Sequence, residues 1–64
     1  MPIIHIDLLD GKSVEQKDEL ISSVTEVTEK ALGVDKEHIT IILREVSRDH
    51  WAVQGKALTK KIEQ

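Results

Sequence analysis

Pro2 is the residue with the most unusual chemistry open to it. It follows Met1 directly, and a methionine before so small a residue is commonly trimmed. Trimming converts an amide nitrogen into a free secondary amine held in a rigid ring. An internal proline has no basic nitrogen at all. Ordinary α-amines titrate near about 7.7–8.0, and a secondary amine is intrinsically somewhat more basic. A general base works best when its pKa lies near the working pH. Burial among Ile3, Ile4 and apolar groups of a second chain would disfavour the ammonium form and bring the pKa down, as would a nearby cation. Met-Pro starts are common, and alone they signal nothing catalytic. Context raises the value of this one: Pro2-Ile3-Ile4 runs straight into a strand, so the terminus belongs to a sheet where most termini fray.

The other reactive side chains are weaker candidates. His5, His38 and His50 lie far apart in the sequence. His5 and Asp7 share a strand face at i,i+2, but a metal site needs a third spaced ligand, so hydrogen-bonded or solvent-facing roles are favoured and no metal is expected. His50 beside Trp51 reads first as a surface histidine and second as a pocket residue. The run Glu15-Gln16-Lys17-Asp18-Glu19 is the wet face of a helix. No phosphate loop, nucleophile elbow or zinc-protease motif occurs.

Three elements must position these groups. Ile3 to Leu9 is β-branched and short, which predicts a strand. Ile4, Ile6 and Leu8 fall on one face, with Ile3, His5, Asp7 and Leu9 on the other. Asp10-Gly11 marks a turn. Ser13 opens a helix, with Gln16 at capping-box spacing. Leu20, Ile21, Val24, Val27, Ala31 and Leu32 recur at steps of three and four and give one apolar stripe. Glu26 and Lys30 form an i,i+4 pair in the favourable order, and Gly33 supplies the left-handed stop. Ile39 to Leu43 is a second strand, approached through the polar segment Asp35 to His38. Strand, helix, strand in this order predicts a right-handed βαβ unit with parallel strands, an α/β subunit. In the tail, Arg48 to Gln64, Trp51-Ala52-Val53 followed by Gln54-Gly55 predicts a short C-terminal hairpin or an arm.

The chain has 64 residues, 39% of them hydrophobic, with no cysteine and Trp51 as its only aromatic side chain. It is read as a single domain, 1–64. Disulfide and thiolate-metal staples are excluded. Two parallel strands and one helix leave both sheet edges and one apolar sheet face open, and a two-stranded sheet is marginal in water. Other copies of the chain must cover them, so an obligate homo-oligomer is expected. The net charge of −3 is spread along the chain, with no basic patch interleaved with aromatics, which argues against nucleic acid as a partner. Apolar runs are too short to cross a membrane. Met1 to Leu9 holds no Lys or Arg and includes Asp7, unlike a signal peptide, so a cytoplasmic location is expected.

Taken together, Pro2 opening a strand, the run Leu8-Leu9-Asp10-Gly11-Lys12-Ser13, Glu15-Gln16-Lys17, the strand Ile39-Thr40-Ile41-Ile42-Leu43-Arg44-Glu45 and the stretch His50-Trp51-Ala52-Val53-Gln54-Gly55 resemble the 4-oxalocrotonate tautomerase family. The resemblance spans nearly the whole chain. It implies a βαβ subunit, a dimer with a four-stranded sheet and usually a hexamer built as a trimer of dimers. It also implies enol–keto or double-bond isomerisation of a small carboxylated 2-hydroxydiene or 2-oxo acid, with the N-terminal proline as base and then acid, and no metal or organic cofactor.

Residue by residue, the resemblance gives Pro2 the catalytic role and Lys12, Thr40 and Trp51 the substrate-binding positions. Trp51 stands where family members carry an aromatic wall. Lys12 stands where the best-known members carry an arginine that binds a substrate carboxylate; the charge is kept and the planar fork is lost. Thr40 replaces a second arginine that polarises the substrate's oxo group. Arg44 and Arg48 lie nearby but off that position. These departures imply a different substrate, such as a monocarboxylate or an aryl-pyruvate-type enol, or weak activity on the usual one. The rival reading is a non-catalytic oligomeric assembly or ligand-binding protein on the same fold.

Overall fold

The computed structural model describes residues 1–59. Strand β1 (Ile3–Leu9) leads into helix α1 (Val14–Leu32), and strand β2 (Thr40–Val46) follows; the hairpin strands β3 (Ala52–Val53) and β4 (Lys56–Ala57) end the described chain. The strands β1 and β2 pair in parallel, from Ile3 opposite Thr40 to Leu9 opposite Val46. The βαβ unit with a C-terminal hairpin is therefore present as expected. Any arm beyond residue 59 lies outside the described residues.

Local chemistry explains each boundary. Ser13 accepts from the Gln16 backbone N–H at 3.1 Å, and the Ser13 N–H donates to Gln16 Oε1 at 3.0 Å. This reciprocal box satisfies two of the orphan donors at the helix start. At the other end Gly33 takes φ 66°, and its N–H donates to the Glu29 carbonyl at 2.9 Å. The hairpin turn places both Gln54 (φ 57°) and Gly55 (φ 81°) in the left-handed region. That is the mirror-image turn whose twist matches paired strands.

Two sequence expectations are corrected. The second strand starts at Thr40 and runs to Val46, three residues past the expected end at Leu43. Arg44 and Glu45 look like a strand end because they are charged, yet the ladder holds them opposite Asp7 and Leu8. Glu26 and Lys30 make no ion pair; among the described residues the pairs are Lys17–Glu45 at 2.9 Å and His38–Glu37 at 3.6 Å. An exposed helix pair contributes only about 0.3–0.5 kcal/mol and does not fix its geometry.

Packing is one-sided. Ile4, Ile6, Leu8, Ile41 and Leu43 are half-buried on one sheet face, as are Leu20 and Val24 of α1, and Leu8 and Leu20 line one recess. The Lys17–Glu45 pair closes the same face between helix and strand. No hydrophobic residue of the described chain is fully buried. A sheet of two strands about 5 Å apart is narrower than a helix of about 10 Å diameter. The helix therefore overhangs it, and Val27 and Leu32 stay exposed at 65% and 60% although both belong to the predicted stripe. The opposite sheet face, with Ile3 and Ile42, is open as well. The radius of gyration is 15.2 Å, against about 11 Å for a compact domain of this length. No described helix is long and apolar enough to cross a membrane.

Candidate functional site

Pro2 sits at the entrance to the sheet. Its carbonyl oxygen accepts the backbone N–H of Thr40 at 3.1 Å, one step before the first ladder pair, Ile3 opposite Thr40. The ladder thus extends past β1 to grip the residue next to the terminus. Pro2 is half-buried while Met1 before it is 87% exposed. With Met1 in place the proline nitrogen is an amide; its removal leaves a ring nitrogen anchored through its own carbonyl.

The four residues that the sequence reading singled out do not meet within one chain. Pro2 and Thr40 are neighbours at the starts of the parallel strands. Lys12 follows the far end of β1, and at about 3.3 Å per residue the eight steps from Pro2 to Asp10 span roughly 26 Å. That is well beyond the reach of a lysine side chain. Trp51 follows the far end of β2. Lys12 and Trp51 also occupy different faces. Lys12 lines a recess of about 230 Å³ with Leu8, Gln16, Lys17 and Leu20 on the helix side. Trp51 lines an open recess of about 450 Å³ with Asp7, Arg44, Val46, His50 and Ala52 on the side facing away from the helix.

Each recess has a distinct chemistry. In the helix-side recess Lys17 is committed to Glu45, whereas Lys12 has no ion-pair partner among the described residues. Lys12 is thus an available ammonium beside Leu8 and Leu20, which suits the carboxylate of a small apolar acid. In the Trp51 recess an indole lies with a guanidinium, an imidazole and a carboxylate. Backbone bonds hold this corner: His50 N–H to Ser47 at 3.0 Å, Trp51 N–H to Arg48 at 3.4 Å, and Leu58 N–H to the Trp51 carbonyl at 2.9 Å. The last of these ties the hairpin to the turn that carries the indole.

Sequence reasoning passed over Arg44 as a member of this recess. The signal was present in the alternation Thr40, Ile42, Arg44, Val46, which puts a guanidinium on the same face as Asp7 once the strand is extended to Val46. The His5–Asp7 pair gathers no third ligand among the described residues; the potential ligands that do cluster are Asp35, Glu37 and His38, with their ligand atoms within 4.8 Å and all three side chains exposed. A further groove of about 460 Å³ is lined by Asp18, Glu26 and Glu29 together with Lys36, a predominantly acidic surface ill suited to an anionic substrate.

A parallel βαβ unit with a proline at the sheet entrance and an aromatic residue in the turn before a C-terminal hairpin defines the tautomerase class. The family model for tautomerase enzymes matches residues 2–61. A probable tautomerase of Staphylococcus epidermidis is 46% identical over 55 residues, covering 86% of this chain and 90% of that protein. The 2-hydroxymuconate tautomerase of Bacillus subtilis is 37% identical over 59 residues, covering 92% and 95%. A heterohexameric 4-oxalocrotonate tautomerase from Chloroflexus aurantiacus superposes with a TM-score of 0.88 at 32% identity, covering 94% of this chain and 97% of that one. The chain belongs to the 4-oxalocrotonate tautomerase family, and it is a tautomerase, an isomerase, like its relatives.

Proposed function

We propose that mature chains lacking Met1 use the Pro2 nitrogen as a general base to ketonise a small carboxylated 2-hydroxydiene or 2-oxo acid, in a site completed by neighbouring copies. The observation that carries this reading is the split between strand ends: Pro2 with Thr40 at one end, Lys12 and Trp51 at the other. One subunit holds the base and another must bring the cation and the aromatic wall. The open sheet face and the exposed Val27 and Leu32 supply surface for that association. The hexameric state of the Chloroflexus relative supports six copies as the assembly.

The chemistry is a proton shuttle. Neutral Pro2 takes the proton of an enol hydroxyl or an acidified C–H. The electron pair left behind delocalises through the diene toward the carboxylated end. Lys12 holds the carboxylate and favours the dienolate charge in a site from which water is excluded. The prolinium then returns the proton to a different carbon. Beside a neighbouring ammonium the protonated amine is disfavoured, which keeps Pro2 in its basic form. The Thr40 hydroxyl, in place of an arginine, donates a neutral hydrogen bond to the oxo group.

The test is ketonisation of phenylenolpyruvate and 2-hydroxymuconate by mature wild type and by Pro2→Ala. Turnover falls by at least about 100-fold, the low end for loss of a general base. Near-wild-type turnover in the variant would reject Pro2 as the base.

A further inference from the structure

The strand ladder puts Arg44 and Trp51 in one recess, and the proton shuttle does not use that guanidinium. We infer that Arg44 and Trp51 form a single subsite for the far carboxylate of a flat, conjugated dicarboxylate, so that Arg44 supplies a second carboxylate-binding cation in addition to Lys12. The inference rests on the tautomerase reading above, in which Trp51 walls the substrate.

Three observations converge on it. Arg44 makes no ion pair among the described residues, although Asp7 is its partner across the ladder. Its planar fork is free to take a carboxylate in two parallel hydrogen bonds, a geometry that an ammonium such as Lys12 lacks. The indole of Trp51 offers a flat apolar face on which a diene stacks. The recess, at about 450 Å³, has room for a six-carbon acid beside these groups.

Placement explains why this cation is not a simple stand-in within its own chain. Thr40 and Arg44 share a sheet face, but four residues of strand separate them by roughly 13 Å. Arg44 therefore reaches a substrate held at Pro2 only from the neighbouring copy that also brings Trp51. Asp7 opposes it. A carboxylate on the recess wall repels a second carboxylate and competes for the guanidinium. Removing each charge must then shift dicarboxylate affinity in opposite directions. If Arg44 merely paired with Asp7 to hold subunits together, the two substitutions would act in the same direction.

Trp51 is the only aromatic residue of the chain, so its fluorescence reports this recess without competing signals. The assembled full-length protein is titrated with cis,cis-muconate and with sorbate, six-carbon dienes carrying two carboxylates and one; neither carries the hydroxyl that ketonisation requires. Muconate is expected to bind roughly tenfold or more tightly than sorbate, as a charge-assisted bidentate contact implies. Arg44→Gln removes that preference, Arg44→Lys restores part of it, and Asp7→Asn tightens muconate while leaving sorbate nearly unchanged. An unaltered muconate preference in assembled Arg44→Gln, or Trp51 emission indifferent to both acids, overturns the proposal. Should Arg44→Gln fail to assemble, Asp7→Asn decides: tighter muconate supports the subsite, and unchanged or weaker binding rejects it. Because these titrations need no turnover, absence of a muconate preference in the wild type with ketonisation intact sinks the subsite alone. A preserved preference in a protein whose Pro2→Ala variant ketonises normally sinks the Pro2 reading instead.

Discussion

Thr40 donates its backbone N–H to the carbonyl oxygen of Pro2 at 3.1 Å, so the main chain of Thr40 anchors the proposed base. The bond uses the main chain and survives any side-chain change at position 40 except proline. The hydroxyl can therefore be probed alone. Thr40→Val should fold and assemble as wild type, and kcat for ketonisation should fall by roughly two- to tenfold, the scale of one neutral hydrogen bond. Unchanged kcat with both enol substrates removes the hydroxyl from the mechanism.

Lys12 has a different signature. Its ammonium lies free beside Leu8 and Leu20, so its contribution falls mainly on binding. Lys12→Ala should raise KM by about tenfold or more, with a smaller loss in kcat. Steady-state kinetics on phenylenolpyruvate checks this, and an unchanged KM contradicts the carboxylate role.

Assembly is the third expectation. No hydrophobic residue of the described chain is fully buried, and Ile42 on the open sheet face is 38% exposed. A folded monomer should be absent at micromolar concentration, because folding and association are one equilibrium. Ile42→Asp puts a charge on that face. If copies cover it, the variant sediments as a smaller species with lost near-ultraviolet signal from Trp51, at a cost of several kcal/mol for an unpaired buried charge. A variant that sediments and ketonises like wild type shows that this face is not an interface.

The sequence made local structure legible wherever one residue type does one job. Ser13 with Gln16, Gly33, and Gln54-Gly55 each mark a backbone need that few residues meet, and all three appear as read. The alternation in Ile3–Leu9 gave the correct faces because period two leaves no other choice. The end of β2 was not legible. Arg44 and Glu45 point to opposite faces, one to the Trp51 recess and one to Lys17, and adjacent charges look like a loop until both partners are known. The exposure of Val27 and Leu32 was hidden for a related reason: periodicity marks which residues want cover without saying whether the same chain provides it. The candidate site was legible as a set of residues through the family resemblance. Its division between strand ends was not, since it follows from parallel pairing and strand length together.

The central claim is that a working site draws Pro2 from one chain and Lys12 from another. Equal amounts of Pro2→Ala and Lys12→Ala chains, both impaired when assayed well below the wild-type KM, are unfolded together and refolded into mixed oligomers. With random assortment, half the sites receive an intact proline and half of those an intact lysine, so roughly a quarter of wild-type ketonisation should return. Activity no greater than the sum of the two separate variants, in a mixture that has demonstrably exchanged subunits, contradicts the shared site.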